Sequence, residues 1–523
     1  MILDKFKRLL SMKSIKNNRE NKESIKAIPI SKSLDKNRRT LKKVFSHSDD
    51  LIYRDIYLEN SNTTLLLVCI DGMVERDLIG EHILTPLQAE DNKENNKIDL
   101  KKKITEKLLT VLEVEVTKDF NKLIRALLSG NTLLFIEGYN QALMIGTTGW
   151  EARSIESPSS EETIGGSREG FVESVKTNIS LIRKRIKTTN LAVELLEVGC
   201  RTRTNIAIIY LKGVINQELV NEVRARIKRI DTDGIVGSAQ IEQLIENHKW
   251  SIFPQVLATE RVDKTVGSIL EGRISIIVDG TPFVLIAPIT FATFLNSPDD
   301  YYERSITSSV MRIIRYISYF LTTSLPALYL ALTAYHPGMI PTPLVLTITS
   351  SRMGLPFPTI IEVLIMEFTL EILTEASIRL PRPIGQAVSI VGGLVIGQAA
   401  VQAGIVSPLI IIIVSLTALT SFVIPVYSFT LSNRLIRFPL IIMAGLAGLY
   451  GIFMGWIFIL IHLASLESFG VRYLGDFSPY KLEHLKDTII KVPQSWMIQR
   501  PEVLNVEDTK KQDVEKVRMI VDE

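Results

Sequence analysis

Four glutamates interrupt an otherwise apolar run at residues 360–379: Glu362, Glu367, Glu371 and Glu375. The last three recur at i, i+4 and i+8, which places them on one stripe of a helix. A carboxylate in hydrocarbon costs roughly 2–3 kcal/mol or more, so this acidic stripe must meet water, arginine or a partner. Two readings stand at this point. One is a helix lying on a membrane surface with its acidic side wet. The other is a ring of carboxylates at the mouth of a cation path in an oligomer.

A second pattern follows at residues 384–404, IGQAVSIVGGLVIGQAAVQAG. At about 100° per residue, Gln386, Ser389, Gly393, Gly397, Ala400 and Gly404 share one face. Gly393 and Gly397 have the spacing that lets membrane helices pack closely. The opposite face carries Val388, Val391, Val395, Gln398 and Gln402. Amides hold water and a ring of valines closes by dewetting, so this face suits a pore wall with Val395 at the constriction. The glutamines are equally well satisfied by neighbouring helices in a packed bundle.

Other chemistry finds little support. There is no phosphate-binding Gly-x-x-x-x-Gly-Lys loop, no Gly-x-Ser-x-Gly and no His-Glu-x-x-His. The six histidines are scattered, and none pairs with Cys or carboxylates at metal-ligand spacing. Neither an enzyme nor a cofactor or metal site is expected. Cys69 and Cys200 are the only cysteines; both sit in apolar stretches and are expected as buried thiols. A net charge of +3 excludes a dedicated nucleic-acid coat.

The elements that must position these residues divide sharply by charge. Only nine of the 151 residues from position 316 to 466 are charged, against 22% over the chain. The expected fold is a multidomain membrane protein: a two-lobed cytosolic α/β domain followed by a transmembrane domain of 4–6 helices. Residues 1–48 are expected as a basic, disordered arm, because residues 1–45 hold 14 Lys/Arg against four Asp/Glu. Residues 49–190 form the first lobe and 191–308 the second. Strands are expected at 64–70, 131–137, 141–147, 205–211, 273–279 and 283–287, with helices at 74–87, 117–128, 171–187 and 217–230. The membrane part is 309–466. Spans are expected at 316–335, interrupted by Pro326, at 384–404, 407–429 and 438–466, with 360–379 either spanning or lying on the surface. The choice decides whether the two tails share a side. Residues 467–523 form a polar tail. The start, Met-Ile-Leu-Asp-Lys-Phe-Lys-Arg, lacks the apolar core of a signal peptide, so the α/β domain is expected on the cytoplasmic side.

Several stretches together resemble a known family. They are Asp71-Gly-Met-Val, Leu127-Leu-Ser-Gly-Asn-Thr-Leu-Leu-Phe, Glu156-Ser-Pro-Ser-Ser-Glu, Arg168-Glu-Gly-Phe-Val-Glu-Ser-Val, Asn178-Ile-Ser-Leu-Ile-Arg-Lys-Arg, and Pro381-Arg-Pro-Ile-Gly-Gln-Ala-Val through Gln402-Ala-Gly. In this order, over about residues 50–500, the chain resembles the A subunits of GerA-type nutrient germinant receptors. Gly165-Gly-Ser-Arg stands where the family often has an Arg-Gly-Pro-Arg-like run.

The resemblance implies a spore inner-membrane protein working with a transporter-like B subunit and a lipoprotein C subunit. It also implies a homo-oligomeric ring, a pentamer, that releases monovalent cations when nutrient binds. A ring needs a repeated contact between unlike surfaces. Arg168 of one chain meeting the acidic loop Glu156, Glu161 and Glu162 of its neighbour is a candidate, although the same Ser, Pro and Glu residues suit helix capping. The alternatives are a non-conducting scaffold for the B and C subunits and a paralogous ion-release protein. A secondary transporter ranks last, because no repeat of broken helices is visible in the membrane part.

Overall fold

A computed structural model describes residues 29–59, 62–87, 113–149, 158, 161, 163, 165–380, 395–478 and 486–512. The chain divides into two compact units, 1–151 with 183–191, and 152–182 with 192–523.

The first unit holds helix α1 (Leu34–Val44), strands β1 (Leu51–Leu58), β2 (Thr63–Ile70) and β3 (Val114–Thr117), helix α2 (Phe120–Leu128), and strands β4 (Thr132–Ile136) and β5 (Ala142–Ile145). The second unit opens with most of helix α3 (Val175–Arg185), then β6 (Leu191–Val198) and β7 (Thr204–Leu211). Helices α4 (Gln217–Lys228) and α5 (Ser238–Ile245) follow. The series continues with β8 (Leu257–Thr259), α6 (Val262–Leu270), β9 (Ile274–Val278) and β10 (Val284–Ala287).

The two sheets run β1-β2-β4-β5-β3 and β6-β7-β9-β10-β8. Counted from the start of each, these are one and the same strand order. The registers agree as well. Leu65 faces Ile136 as Ile206 faces Val278. Thr132 faces Ile145 as Ile274 faces Ala287, and Val116 faces Leu143 as Ala258 faces Leu285.

The joints repeat too. The Asn37 side chain accepts from Ser31 N–H (2.9 Å) and donates to its carbonyl (2.7 Å), and Asn178 does the same to Val172 (2.8 and 2.6 Å). Each bracketed helix is met at its start by a carboxylate. Glu137 accepts from Leu34 N–H (2.9 Å) and Asp279 from Val175 N–H (3.0 Å), where the helix dipole favours negative charge. Gly138 and Gly280 follow those acids with φ of +86° and +84°, a turn that costs a side-chain residue dearly. The α/β part is therefore an internal duplication; α4 and α5 lie between β7 and β8, as a short helix at Arg76–Ile79 lies between β2 and β3.

The duplication corrects several expectations. Residues 29–48 are not part of a disordered arm: α1 buries Leu34 and Leu41, and Ile30 and Phe45 join the same core. The helix expected at 171–187 begins only at Val175, because Asn178 holds Val172 in an extended approach. It also opens the second repeat rather than closing the first lobe. Strands β1 and β6 were not expected. Each lies at a sheet edge, and Arg54, Asp55 and Glu194 break the hydrophobic pattern. Cys69 is buried as expected, but Cys200 is exposed.

The described parts of the C-terminal segment fold onto the second lobe rather than trailing as a tail. A hairpin of β11 (Glu467–Ser468) and β12 (Val471–Arg472) places Phe469 in that lobe's core, with the Arg226 guanidinium 4.4 Å from its ring centroid. Glu507 N–H donates to the Val214 carbonyl (2.9 Å) and Arg500 Nε to that of Leu270 (2.8 Å). Val506 lies against Gly272, where any Cβ would strike it.

Two stability predictions follow from these joints. Asn178→Ala leaves the Val172 amide and carbonyl without their partner and should cost about 1–3 kcal/mol, read as a lower Tm by circular dichroism. Burial, with the nearby Glu246 carboxylate, pushes Glu242 up to about 7. The unfolded chain ionises this group near pH 4.5 and the folded chain only near 7, so its contribution to stability falls as pH rises through that window. Thermal melts of Glu242→Gln should show a smaller loss of Tm between pH 5 and pH 7 than wild type (about pH values set by the shift).

Candidate functional site: the helical bundle and its buried ion pairs

The bundle comprises α7 (Ser305–Ala334), α8 (Thr342–Arg352), α9 (Thr359–Arg379), α10 (Gly397–Gln402), α11 (Pro408–Phe422) and α12 (Tyr427–Ser465). Two of these, α7 and α12, are long and apolar enough to cross a membrane.

The root of α7 is tied to the second lobe and to the C-terminal segment by one guanidinium. Fully buried Arg312 donates from Nε to Asp300 (3.0 Å) and from Nη1 to Asp487 (2.9 Å). Arg315 reaches Asp300 at 2.8 Å, and Lys491 Nζ donates to the Glu303 carbonyl at 3.1 Å. Above this lies an aromatic layer. Phe429 stacks on Phe294 (5.1 Å between centroids) and Tyr319 (5.5 Å), with Phe291 edge-on at 5.4 Å.

Two turns beyond Tyr319 on α7, Pro326 breaks the helix ladder. Proline has no N–H, so the carbonyl of Thr322, four residues back, loses its helical partner. Arg437 of α12 supplies one: its Nε donates to that carbonyl at 2.9 Å. Its Nη1 meets Glu367 of α9 in an ion pair in which both side chains are buried. Thr322 Oγ1 also donates to Thr420 Oγ1 of α11 (2.9 Å), so four helices meet at this level.

The remaining acids are matched one by one. Glu371 takes Arg434 Nε at 3.0 Å, and Glu375 takes Arg379 of the next turn at 2.8 Å. Glu362 takes Arg352 (3.2 Å) and the N–H of Ser407 (3.3 Å), which precedes the first residue of α11. For Glu367 and Glu371, then, neither a wet stripe nor open carboxylates describes this chain: arginines of α12 hold them. Arg434 and Arg437 are the buried partners that sequence reasoning missed. Their signal was being the only charges between 383 and 466.

The span expected at 438–466 is likewise different. Helix α12 contains a reversal at Ala447 and Gly448, whose φ and ψ are non-helical. A Cβ on Gly451 would collide with the Met443 carbonyl, and one on Gly455 with Leu440. These contacts fold residues 427–446 and 449–465 into two antiparallel arms. Both free ends return to the second lobe. Ser432 donates to the Ile252 carbonyl, and His462 Nε2 lies 3.1 Å from Ser251 Oγ.

Of the pore candidates, Val388, Val391 and Gly393 lie outside the described residues. Gly397 is buried against Ile411 of α11, and Ala400 packs on the bundle core. Val395 is 54% exposed, and Gln398 and Gln402 are exposed on the same outward side.

Of the loop candidates, Glu156 and Glu162 also lie outside the described residues, and Arg168 is exposed. Glu161 is held within the chain by Lys264 (2.9 Å) and Thr259. The neighbouring backbone is gripped by buried Arg261, which donates to the carbonyls of Glu161 and Ser167 (both 3.1 Å) and to Thr163 Oγ1 (2.9 Å). Asp263 accepts from the same guanidinium at 2.6 Å. The duplication is the signal that finds Arg261: it holds the place of Asp119 in the first repeat, and both make the isolated bridge to the strand-like entry of their repeat.

The ladder at Pro326 yields a test. Arg437→Ala strands buried Glu367 and should cost about 3–5 kcal/mol in detergent melts. In a Pro326→Ala background the restored N–H serves Thr322, so the same change should cost about 1 kcal/mol less. Strict additivity would refute the link.

Residues 39–503 match the family described as Bacillus/Clostridium GerA spore germination protein. Spore germination protein KA of Bacillus subtilis is 44% identical over 94% of this chain and 90% of its own length. The uncharacterized membrane protein YfkQ of the same organism is 40% identical over 90% of this chain and 91% of its own. The crystal structure of the N-terminal domain of the A subunit of the Bacillus megaterium spore germinant receptor GerK3 shares 33% identity. It covers 51% of this chain and 98% of that one, with a TM-score of 0.41.

Proposed function

This chain belongs to the GerA family of spore germination proteins, and from that premise we propose that it is the A subunit of a nutrient germinant receptor. It resides in the spore inner membrane with a transporter-like B subunit and a lipoprotein C subunit. Copies of the chain form a ring whose axis is lined by residues 384–404, and the ring conducts monovalent cations when nutrient is bound.

The observation that carries this reading is the outward face of Val395, Gln398 and Gln402. Gly397 and Ala400 take up the packing side of the same helix, so this polar–apolar stripe is not consumed by the chain's own bundle. In a bilayer, an amide needs water or a partner. Inside one chain, Glu367 and Glu371 are neutralised by Arg437 and Arg434, which leaves the conducting path to lie between chains.

In this reading the bundle crosses the membrane six times: α7, α9, residues 384–404, α11 and the two arms of α12. The α/β lobes and the C-terminal segment then share the cytoplasmic side. The Asp300–Arg312–Asp487 cluster supports that parity, because it joins the second lobe, α7 and the C-terminal segment at one point.

A non-conducting scaffold for the B and C subunits is the second reading. It is favoured by the closed, ion-paired interior of the single chain. Flux of potassium from liposomes separates the two. The purified chain should conduct, and Val395→Ala, by widening and wetting the constriction, should raise the flux. Well-folded oligomers of both proteins that pass no ions would sink the pore reading in favour of the scaffold.

A further inference from the structure

Trp250 is 99% exposed, yet it does not sit on a loose loop. Gln255, itself buried, braces the segment from inside. Its Oε1 accepts from the N–H groups of Asn247 (3.1 Å) and His248 (3.0 Å), and its Nε2 donates to the His248 carbonyl (2.9 Å). Glu246 in turn accepts from Gln255 N–H (2.8 Å), and Ser251 N–H closes a turn on the His248 carbonyl (3.0 Å). A rigidly braced loop thus presents a bare indole to its surroundings.

The residues after it fix its level in the molecule. Ser251 meets His462 at the end of the second arm of α12, and the Ile252 carbonyl meets Ser432 near the start of the first. Phe253 packs on Phe429 and His462, and the Pro254 carbonyl accepts from Tyr473. The tip therefore stands where the apolar arms leave the second lobe. Neighbouring positions are apolar and exposed as well: Ile252 on the loop, and Phe458 and Ile461 beside His462 on the arm. Lys249, next to the indole, is exposed.

We propose that the loop at 248–252 is a membrane-surface anchor, with Trp250 seated among lipid headgroups and Lys249 beside their phosphates. Tryptophan favours this layer because its ring is apolar and its N–H is polar. A cation beside it is attracted to an anionic leaflet. The anchor sets the distance and tilt of the second lobe relative to the bilayer. This inference rests on the membrane reading above, and the test separates the two.

The full chain is placed in vesicles of phosphatidylcholine and phosphatidylglycerol, plain or brominated near the headgroup end of the acyl chains. The emission of Trp250 is taken as the difference between wild type and Trp250→Phe. Phe453→Trp in the Trp250→Phe background, on the exposed side of the second arm, reports on the bilayer interior with deeply brominated lipid. The expected result is blue-shifted Trp250 emission that loses intensity in the brominated vesicles. Emission from Trp250 at the wavelength of an indole in water, with the reporter at 453 quenched, would overturn the anchor and leave the membrane reading standing. Blue-shifted emission that bromine does not quench would also overturn it, since a protein would then cover the indole. Failure to quench at both positions would sink the membrane reading and the anchor with it.

Discussion

The bundle is organised around a missing hydrogen atom. Pro326 withholds an N–H from the Thr322 carbonyl, and the Arg437 guanidinium fills the gap. A charge buried in an apolar bundle is tolerated only when it is paired and its remaining donors are used. Arg437 is paired with Glu367 on one side and gives its Nε to the freed Thr322 carbonyl on the other. The same contact positions α7, α9 and α12 at one height, and the Thr322–Thr420 bond adds α11. Glu371 and Arg434 repeat the pairing toward the second lobe. The reversal at Ala447 and Gly448 sets the register of the Gly451 and Gly455 contacts, and the arginine sets how the first arm meets α7 and α9.

Duplication explains how the α/β part acquired two roles from one design. The first repeat keeps the plain form, with Asp119 at the start of α2, where its side chain accepts from Asn121 N–H. The second places Arg261 there, buried and committed to the backbone of the 161–167 loop. Its loop after α5 reaches the ends of the α12 arms. The second repeat is thus the one adapted to hold the helices, and the helices' own C-terminal continuation completes its core through Phe469.

Much of this was legible in the amino-acid order, and the rest failed for definable reasons. The charge-poor block marked the bundle. The 3.6-residue spacing placed Glu367, Glu371 and Glu375 on one stripe and separated Gly397 from Val395. The partners of the glutamates were hidden because Arg434 and Arg437 lie more than sixty positions away, and spacing says nothing about contacts at that range. The reversal at Gly448 was hidden because both arms are apolar and no charge marks the turn. The duplication was hidden because its shared features are buried side-chain brackets and registers, while the letters differ at most positions. Residues 29–48 misled because their many basic residues outweigh Leu34, Leu41 and Phe45 in any compositional reading, although those three suffice to dock the helix.

The route of the chain through the second lobe has a consequence for biosynthesis. A ribosome makes β6 to β10 early, but Phe469, Val506 and the Glu507 contact come only after every bundle helix has been made. The lobe is begun first and closed last. Until the segment after α12 is in place, Gly272 faces an empty notch where Val506 belongs, and the sheet's inner face lacks one aromatic ring. An interrupted or misinserted chain would carry this open seam on its surface, an apolar mark by which quality-control proteases and chaperones distinguish an unfinished subunit from a complete one.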